Sequence, residues 1–235
     1  MSLLNELALK YGTDKSSEHH NYCDKYDKVL LPLREQFTNV LEIGVLDGQS
    51  LRMWEEYFPN ARICGLDINP ECKCHETGRI KIIIADQGDE IQLKQAGEEF
   101  GLFDMILDDG SHKHKHQILS YKVLFPFIKR GGLYIVEDIF TSYFSLSHFT
   151  ADWGETKYPP HYCLPDNGFI NQTAIDYFKT LIDEVNYPSS VRYDPERYMW
   201  LVRFGRREDW CPNLPDVESI TFLNSTVIIY KRNRI

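Results

Sequence analysis

Along the chain, hydrophobic positions form short unbroken runs that alternate with longer stretches in which apolar residues recur at helical spacing. A short run rich in Ile, Val and Leu is typical of a strand covered on both faces, as in a parallel sheet. Strands that alternate with helices therefore predict a parallel sheet with helices on its faces. The five predicted strands are Asn39–Ile43, Arg62–Leu66, Ile80–Ile84, Phe103–Leu107 and Leu133–Val136.

Helices are predicted between these strands, at Ser50–Tyr57, Glu90–Glu99 and His116–Ile128. Near the end of the chain, the runs Ile220–Leu223 and Val227–Tyr230 flank a polar turn, which is typical of an antiparallel hairpin. Five βα units followed by a hairpin fit the class I methyltransferase form of the Rossmann-like sheet better than a plain dinucleotide-binding fold. We therefore predict an α/β fold of that class, with a mainly parallel seven-stranded sheet and a C-terminal antiparallel hairpin.

Two segments fall outside this scheme. Residues 1–37 are predicted to form a helical N-terminal extension, which precedes the methyltransferase domain of residues 38–235. Within that domain, residues 140–170 follow the fifth strand and are rich in Tyr, Phe, Trp, Pro and Gly. A long aromatic insertion at the carboxyl edge of an open sheet is typical of a lid over a ligand. A packing flap or a subunit contact is an equally good interpretation.

Composition and charge exclude several classes of partner. The formal net charge of -9 at pH 7 argues against nucleic acid and anionic membranes, both of which require a basic surface. No run approaches the roughly 18 apolar residues of a membrane span, and the N-terminus lacks the features of a signal peptide. The cysteines are scattered, as is typical of a reducing compartment, so we expect a cytoplasmic location.

The ends of the first three strands have the features of a nucleoside site. Gly44, in the turn after the first strand, allows a ligand to approach the backbone, and the following helix start offers free N–H groups. Asp67, at the end of the second strand, can accept hydrogen bonds from ribose hydroxyls. Asp86-Gln87, at the end of the third, suits the exocyclic amine of an adenine.

The turn after the first strand also distinguishes between two nucleoside cofactors. NAD sites usually read G-x-G-x-x-G, whereas Leu46 occupies the middle glycine position here. Glu42 and Asp47 flank the turn, and their charges would repel a pyrophosphate but tolerate a sulfonium and an ammonium. The turn therefore favours S-adenosylmethionine over NAD.

Three acidic residues stand at the ends of the fourth and fifth strands. Asp109 follows the fourth strand, and Glu137 and Asp138 follow the fifth. Because these strands are neighbours in the predicted topology, their ends should lie about 4.8 Å apart. Crowded carboxylates need protonation or a cation, and all-oxygen donors select hard ions such as Mg²⁺, Mn²⁺ or Ca²⁺. We predict a divalent metal site at these residues, and helix capping is the alternative.

His112, three residues after Asp109, is the predicted general base. A divalent ion can activate a hydroxyl group and fix it in line with a methyl donor, while a neutral histidine removes the proton. Asp108 is predicted to face the methionine end of the cofactor. One alternative is that His112 and His116 lie on one helix face and bind zinc; another is that the histidines of this loop are solvated.

These motifs together resemble the metal-dependent S-adenosylmethionine O-methyltransferases of antibiotic and sugar pathways, such as the mycinamicin-type macrolide sugar and novobiocin-pathway enzymes. The likeness spans most of the chain, and Asp108–His112 and Glu137-Asp138 are its most specific parts. It implies Mg²⁺, or another hard cation such as Mn²⁺, together with a sugar or glycosylated acceptor and a homo-oligomer. The other segments that carry it are 10–15 (Lys-Tyr-Gly-Thr-Asp-Lys), 41–45, 50–54, 65–67 and 86–87.

The resemblance leaves the acceptor open. Asp47 stands where relatives often have glycine, and similar metal motifs occur in methyltransferase-like proteins described as cephalosporin hydroxylases. The alternatives are a catechol-like phenol as acceptor, a non-catalytic S-adenosylmethionine-binding protein of the same fold, and an NAD-linked oxidoreductase. The resemblance implies that the cofactor pocket is lined by Glu42, Gly44, Asp67, Asp86 and Gln87.

Overall fold

The computed structural model describes residues 1–143, 173–193 and 216–233, which form one seven-stranded sheet with helices on both faces. The strand order is β3-β2-β1-β4-β5-β7-β6; β1 to β5 are parallel, and β7 and β6 return antiparallel. This is the predicted class I methyltransferase sheet with its C-terminal hairpin. The strands are β1 Asn39–Ile43, β2 Arg62–Asp67, β3 Ile80–Ile84, β4 Phe103–Asp108, β5 Ile128–Val136, β6 Val217–Leu223 and β7 Thr226–Lys231.

The described helices divide between the two faces of the sheet. Val40 of β1 belongs to the buried apolar cluster that contains Trp54 on one face, while Leu41, the next residue, belongs to the cluster that contains Phe178 on the other. This alternation follows from the two-residue period of a strand that is buried on both sides. The helices are α1 Leu3–Tyr11, α2 Cys23–Leu30, α3 Gln49–Tyr57, α4 Glu90–Phe100, α5 His114–Leu124 and α6 Ala174–Tyr193.

Residues 1–37 contain α1 and α2, and both helices pack on the face that carries α3. Leu4, Tyr22 and Tyr26 are buried in the same apolar cluster as Trp54. The division of the chain into an N-terminal extension of residues 1–37 and a domain of residues 38–235 stays a prediction. None of the described helices is long and apolar enough to cross a membrane.

Two boundaries near the fifth strand were predicted wrongly. The helix predicted over His116–Ile128 begins at His114 and ends at Leu124, and a 3-10 turn over Phe125–Phe127 follows it. Pro126 lies in that turn, because proline has no N–H group to continue an α-helix. β5 then starts at Ile128 rather than Leu133, so the strand runs through Gly131-Gly132, which the sequence pattern did not assign to it.

The long helix α6 was not predicted at all. Of the aromatic segment predicted as a lid over residues 140–170, only its start belongs to the described chain, as part of a 3-10 turn over Ile139–Tyr143. The remainder of that segment lies outside the described residues.

Candidate active site

A cavity of about 750 Å³ opens at the carboxyl edge of the parallel strands, a volume in the range of small-molecule sites. Its wall combines the turn after β1, the ends of β2 and β3, the loop after β4, Asp138 after β5, and part of the N-terminal segment 12–19. Three predicted site residues do not line the cavity: Glu42, Asp108 and Glu137 are almost completely buried. The predicted residues that do line it are Gly44, Asp67, Asp86, Gln87, Asp109, His112 and Asp138.

The turn after β1 is held by Asp67. Its Oδ2 atom accepts hydrogen bonds from the backbone N–H groups of Val45 (2.8 Å) and Leu46 (3.2 Å). Gly44 has a φ of 92°, and a Cβ at this position would collide with the carbonyl group of Asp109. The turn after β1 therefore packs directly on the loop after β4, and only glycine permits that approach.

The end of β3 provides two residues of the cavity wall, and the second of them also joins the loop after β4. Asp86 lines the cavity, and its Oδ1 atom accepts from the Gly88 N–H at 2.7 Å. Gln87 is 6% exposed; its Nε2 atom donates to Asp108 at 2.7 Å, and its Oε1 atom accepts from the Ser111 N–H at 2.8 Å. Gln87 thus fixes the loop after β4, a role that the sequence interpretation did not include.

Asp108 lies beneath this loop rather than in the cavity wall. Its carboxylate accepts from Gln87 and, at 3.4 Å, from the Tyr134 hydroxyl. Burial raises the pKa of Asp108 to about 6. The side chain is completely buried, so its predicted contact with the methionine end of the cofactor stays a prediction.

Asp109, His112 and Asp138 converge at the end of the sheet. Each offers one ligand atom, and these atoms lie within 4.8 Å of one another. The convergence follows from the pairing of β4 with β5, in which Asp108 lies opposite Val136, so the residues after both strands meet. His112 and Asp138 both have positive φ angles, of 56° and 53°. Backbone strain of this kind is concentrated at functional sites.

His112 does not belong to a helix, since α5 begins at His114. His112 and His116 therefore do not share a helix face, and the zinc-pair alternative loses its geometric basis. The His116 Nδ1 atom instead lies 2.9 Å from the Ser111 hydroxyl, and His116 lines the cavity beside Asp86. Burial lowers the pKa of His116, which favours a neutral ring at pH 7.

Glu137, the third predicted metal ligand, faces a different set of partners. Its Oε2 atom lies 2.7 Å from the Lys15 ammonium group, and its Oε1 atom accepts from the Tyr26 hydroxyl at 2.8 Å. Burial raises its pKa well above the usual value, and Lys15 partly offsets this effect. Among the described residues, Glu137 is not a member of the group formed by Asp109, His112 and Asp138.

The sequence interpretation assigned no role to Lys15, Tyr22 or Tyr26, although all three reach this end of the sheet. Lys15 forms an ion pair with Glu137, and the Tyr22 hydroxyl donates to Asp138 at 2.5 Å. The only signal was the motif of residues 10–15, which contributed to the resemblance without indicating a contact. Long-range contacts from an N-terminal segment have no periodic signature that a single sequence would show.

The donors present fit a hard divalent cation. Two carboxylates and one imidazole surround a common point, and carboxylate oxygens are the donors that Mg²⁺ and Mn²⁺ prefer. The cavity beside them has a glycine turn and two acidic strand ends, which fit a cationic nucleoside such as S-adenosylmethionine.

Known proteins with similar sequences are O-methyltransferases. L-olivosyl-oleandolide 3-O-methyltransferase of Streptomyces antibioticus is 36% identical over 192 residues, which is 78% of this chain and 46% of the relative. 8-demethyl-8-alpha-L-rhamnosyl tetracenomycin-C 2'-O-methyltransferase of Streptomyces olivaceus is 38% identical over 193 residues, again 78% of this chain and 46% of the relative. The chain thus spans about half the length of the curated relatives it matches. No protein-family model matches the chain.

The same relationship appears in three dimensions. The MycE methyltransferase from the mycinamycin biosynthetic pathway, in complex with Mg, SAH and mycinamycin VI, is similar at a TM-score of 0.73 and 28% identity. The match covers 98% of this chain and 55% of that chain. The described sheet and its C-terminal hairpin are therefore those of a class I, Rossmann-like methyltransferase.

Proposed function

We propose that the chain is an S-adenosylmethionine-dependent O-methyltransferase that uses a divalent cation to act on a hydroxyl group of a sugar or glycosylated small molecule. One observation carries the proposal: the group of Asp109, His112 and Asp138 lies in the wall of the same cavity as the Gly44 turn and Asp67. Methyl transfer requires donor and acceptor to meet in one cavity, in line and close together. The similarity to O-methyltransferases supports the same chemistry.

Asp67 and Asp86 would hold the nucleoside. S-adenosylmethionine, when bound, supplies an electrophilic methyl group on a sulfonium. Asp67 Oδ2 already accepts two N–H groups of the turn, whereas Oδ1 accepts one N–H group, from Asn69 at 2.8 Å, and keeps a lone pair that can accept from a ribose hydroxyl. Asp86, which lines the cavity, would accept from the adenine amine. Leu46 and Ile68 line the cavity with exposed side chains, and they provide apolar surface for the flat parts of the nucleoside.

Asp109 and Asp138 would hold the cation, with Glu137 or His112 as a third ligand. Mg²⁺ or Mn²⁺, when bound, supplies Lewis-acid assistance to the ionisation of a hydroxyl. The Nε2 atom of His112 lies 4.0 Å from Asp109 Oδ1 and 3.5 Å from Asp138 Oδ2, so an acceptor hydroxyl next to both carboxylates would also be next to this nitrogen. We assign His112 as the base that receives the hydroxyl proton.

The acceptor class rests on the relatives. Both are named as O-methyltransferases of compounds that carry an olivosyl or a rhamnosyl group. A sugar hydroxyl next to a second oxygen could contact the carboxylate group and His112 together. A homo-oligomeric state and a cytoplasmic location stay predictions of the sequence.

Release of S-adenosylhomocysteine from S-adenosylmethionine tests the proposal. The acceptor panel contains rhamnosides, olivosides and catechols, each measured with MgCl₂, with EDTA, and after MgCl₂ is restored. We expect turnover with glycosides, loss of turnover in EDTA, and recovery with MgCl₂. Turnover of catechols alone would change the acceptor class, and full activity in EDTA would contradict the role of the metal.

A matched pair of variants locates the cation. Asp138→Asn removes one charge from the group, whereas Glu98→Gln removes one charge from the exposed face of α4. We expect Asp138→Asn to abolish Mg²⁺-dependent turnover and Glu98→Gln to retain it. Equal activities would show that the carboxylates at the end of the sheet do not hold the ion.

A further inference from the structure

Lys15 is a buried cation at the carboxyl edge of the parallel strands, where it lies among three carboxylates. Its side chain is 1% exposed, and its ammonium group contacts Asp109 Oδ2, Glu137 Oε2 at 2.7 Å and Glu42 Oε1 at 3.5 Å. These three carboxylates come from β1 and from the residues directly after β4 and β5. One side chain from the N-terminal segment therefore connects three neighbouring strand ends.

The charges in this cluster do not balance. Three carboxylates face one ammonium group, and across the described parts of the chain no other Lys or Arg lies within 4.0 Å of them. Tyr26 donates to Glu137 but carries no charge, and Ser50 donates to Glu42 at 2.8 Å. Carboxylates crowded in this way require protons or more positive charge. A further cation can therefore compete with protons for these carboxylates.

Asp109 belongs to two sets of contacts at once. It pairs with Lys15 on one side and forms the group with His112 and Asp138 on the other. A divalent ion at that group and the ammonium of Lys15 would draw on the same carboxylate. Because the two cations repel each other at short range, each weakens the binding of the other.

We propose that Lys15 is the internal counter-ion of the metal site, which holds Asp109 and Glu137 in the ion-free protein and competes with the divalent ion for Asp109. This inference rests on the proposed function, since it takes Asp109 and Asp138 as ligands of the divalent ion. Lys15 is thus a positioning residue: it keeps the carboxylates together before the ion arrives, and it lowers the affinity for the ion.

The backbone around Lys15 is fixed independently of its ammonium group. The Lys15 carbonyl oxygen accepts from the N–H groups of Tyr22 (3.0 Å) and Cys23 (3.2 Å). Asp14 and Ser16 accept from His20 and Asn21 in the same loop. Replacement of the Lys15 side chain by an uncharged one of similar length should therefore retain the loop and change mainly the charge.

The test compares Lys15→Met with Lys10→Met, which removes a lysine that is 54% exposed and forms an ion pair with Glu56 at the surface. Titration calorimetry with MgCl₂ and MnCl₂, without cofactor or acceptor, measures the affinity of the full chain for the ion. We expect Lys15→Met to bind at least about tenfold more tightly than the unaltered protein, since one opposing charge next to the site is removed. We expect Lys10→Met to bind as the unaltered protein does.

Thermal unfolding gives a second readout. In EDTA, Lys15→Met should unfold at a lower temperature than Lys10→Met, because the carboxylates lose their counter-ion. MgCl₂ should then raise the melting temperature of Lys15→Met more than that of the unaltered protein. Equal or weaker binding by Lys15→Met would overturn the proposal.

A second pair of variants decides the case if Lys15→Met does not fold. Lys15→Met combined with Glu42→Gln removes the ammonium group and one of the carboxylates that it contacts, and the reference is Glu42→Gln alone. The double variant should bind Mn²⁺ more tightly than its reference, and equal affinity would overturn the role of Lys15. If the unaltered protein binds neither ion, the metal part of the proposed function fails instead.

Discussion

The Nε2 atom of His112 lies 3.5 Å from Oδ2 of Asp138, although the two residues follow different strands and both have left-handed backbone conformations. A non-glycine residue in that conformation is held there by its surroundings at a free-energy cost of about 1–3 kcal/mol. The arrangement that brings this imidazole next to a carboxylate therefore lowers the free energy of unfolding. That relationship is consistent both with a base beside the ion and with a ligand of the ion.

Replacement of His112 by alanine separates these two roles. If His112 is the base, His112→Ala should lower kcat by about 10²–10⁴-fold, because proton transfer contributes that much. The affinities for Mg²⁺ and S-adenosylhomocysteine should change little. Turnover and titration calorimetry are measured on the same protein sample.

Two other results would contradict the assignment of His112 as the base. A loss of Mg²⁺ affinity with a parallel loss of turnover would make His112 a ligand, and unimpaired turnover would remove it from the mechanism. His75→Ala serves as the control, since it removes another imidazole, which lies beside Gly48 and does not line the cavity.

Asp67 should control the affinity for the cofactor. Asp67→Ala removes the acceptor for Val45 and Leu46 and the proposed acceptor for ribose, so we expect S-adenosylhomocysteine to bind about 10–100-fold more weakly. Asp67→Asn keeps one carbonyl oxygen and should lose less. Calorimetric titration of both variants checks the order, and Mg²⁺ affinity should stay within about twofold of the unaltered protein in each. Cofactor affinity that is unchanged in Asp67→Ala would place the nucleoside elsewhere.

The strands of the sheet were predictable because most of their residues are buried and apolar. Asn39–Ile43 and Ile80–Ile84 are short runs rich in Val, Leu and Ile, and their limits in the structure are those of the prediction. The edge that carries Asp67, Asp109 and Asp138 followed from the rule that the carboxyl ends of parallel strands meet on one side. The fold and the position of the site therefore depend on local patterns.

The contacts inside the site were not predictable to the same extent. Glu137 was expected to face the cation with Asp109 and Asp138, but its carboxylate bonds to Lys15 and Tyr26, whose sequence separation is more than 100 residues. The direction of a side chain after a strand depends on which distant groups are available. Gln87 shows the same effect, because its amide joins Asp108 to the loop after β4.

Gly44 should be irreplaceable for stability as well as for binding. Gly44→Ala introduces a Cβ at a φ of 92° and against the Asp109 carbonyl group, so we expect the free energy of unfolding to fall by more than about 1 kcal/mol. Gly78→Ala is the matched control, because a Cβ there meets no atom within 4 Å and its φ is not in the left-handed region. Urea denaturation of both variants checks the difference. Similar unfolding free energies would show that the turn can shift away from Asp109.

The stability of the ion-free protein should fall as the pH rises from 5 to 8, and Glu42 should account for part of that loss. Burial raises the pKa of Glu42 from 4.5 to about 7, so its contribution is fully present below pH 4.5 and is lost as the pH passes through 7. The contribution that disappears over this range is about 2–3 kcal/mol.

Glu42→Gln cannot titrate, and its free energy of unfolding in EDTA should therefore depend less on pH by that amount. Urea denaturation at several pH values measures the slope, with Glu98→Gln as the exposed control. A slope in Glu42→Gln equal to that of the control would show that Glu42 is already ionised at pH 5.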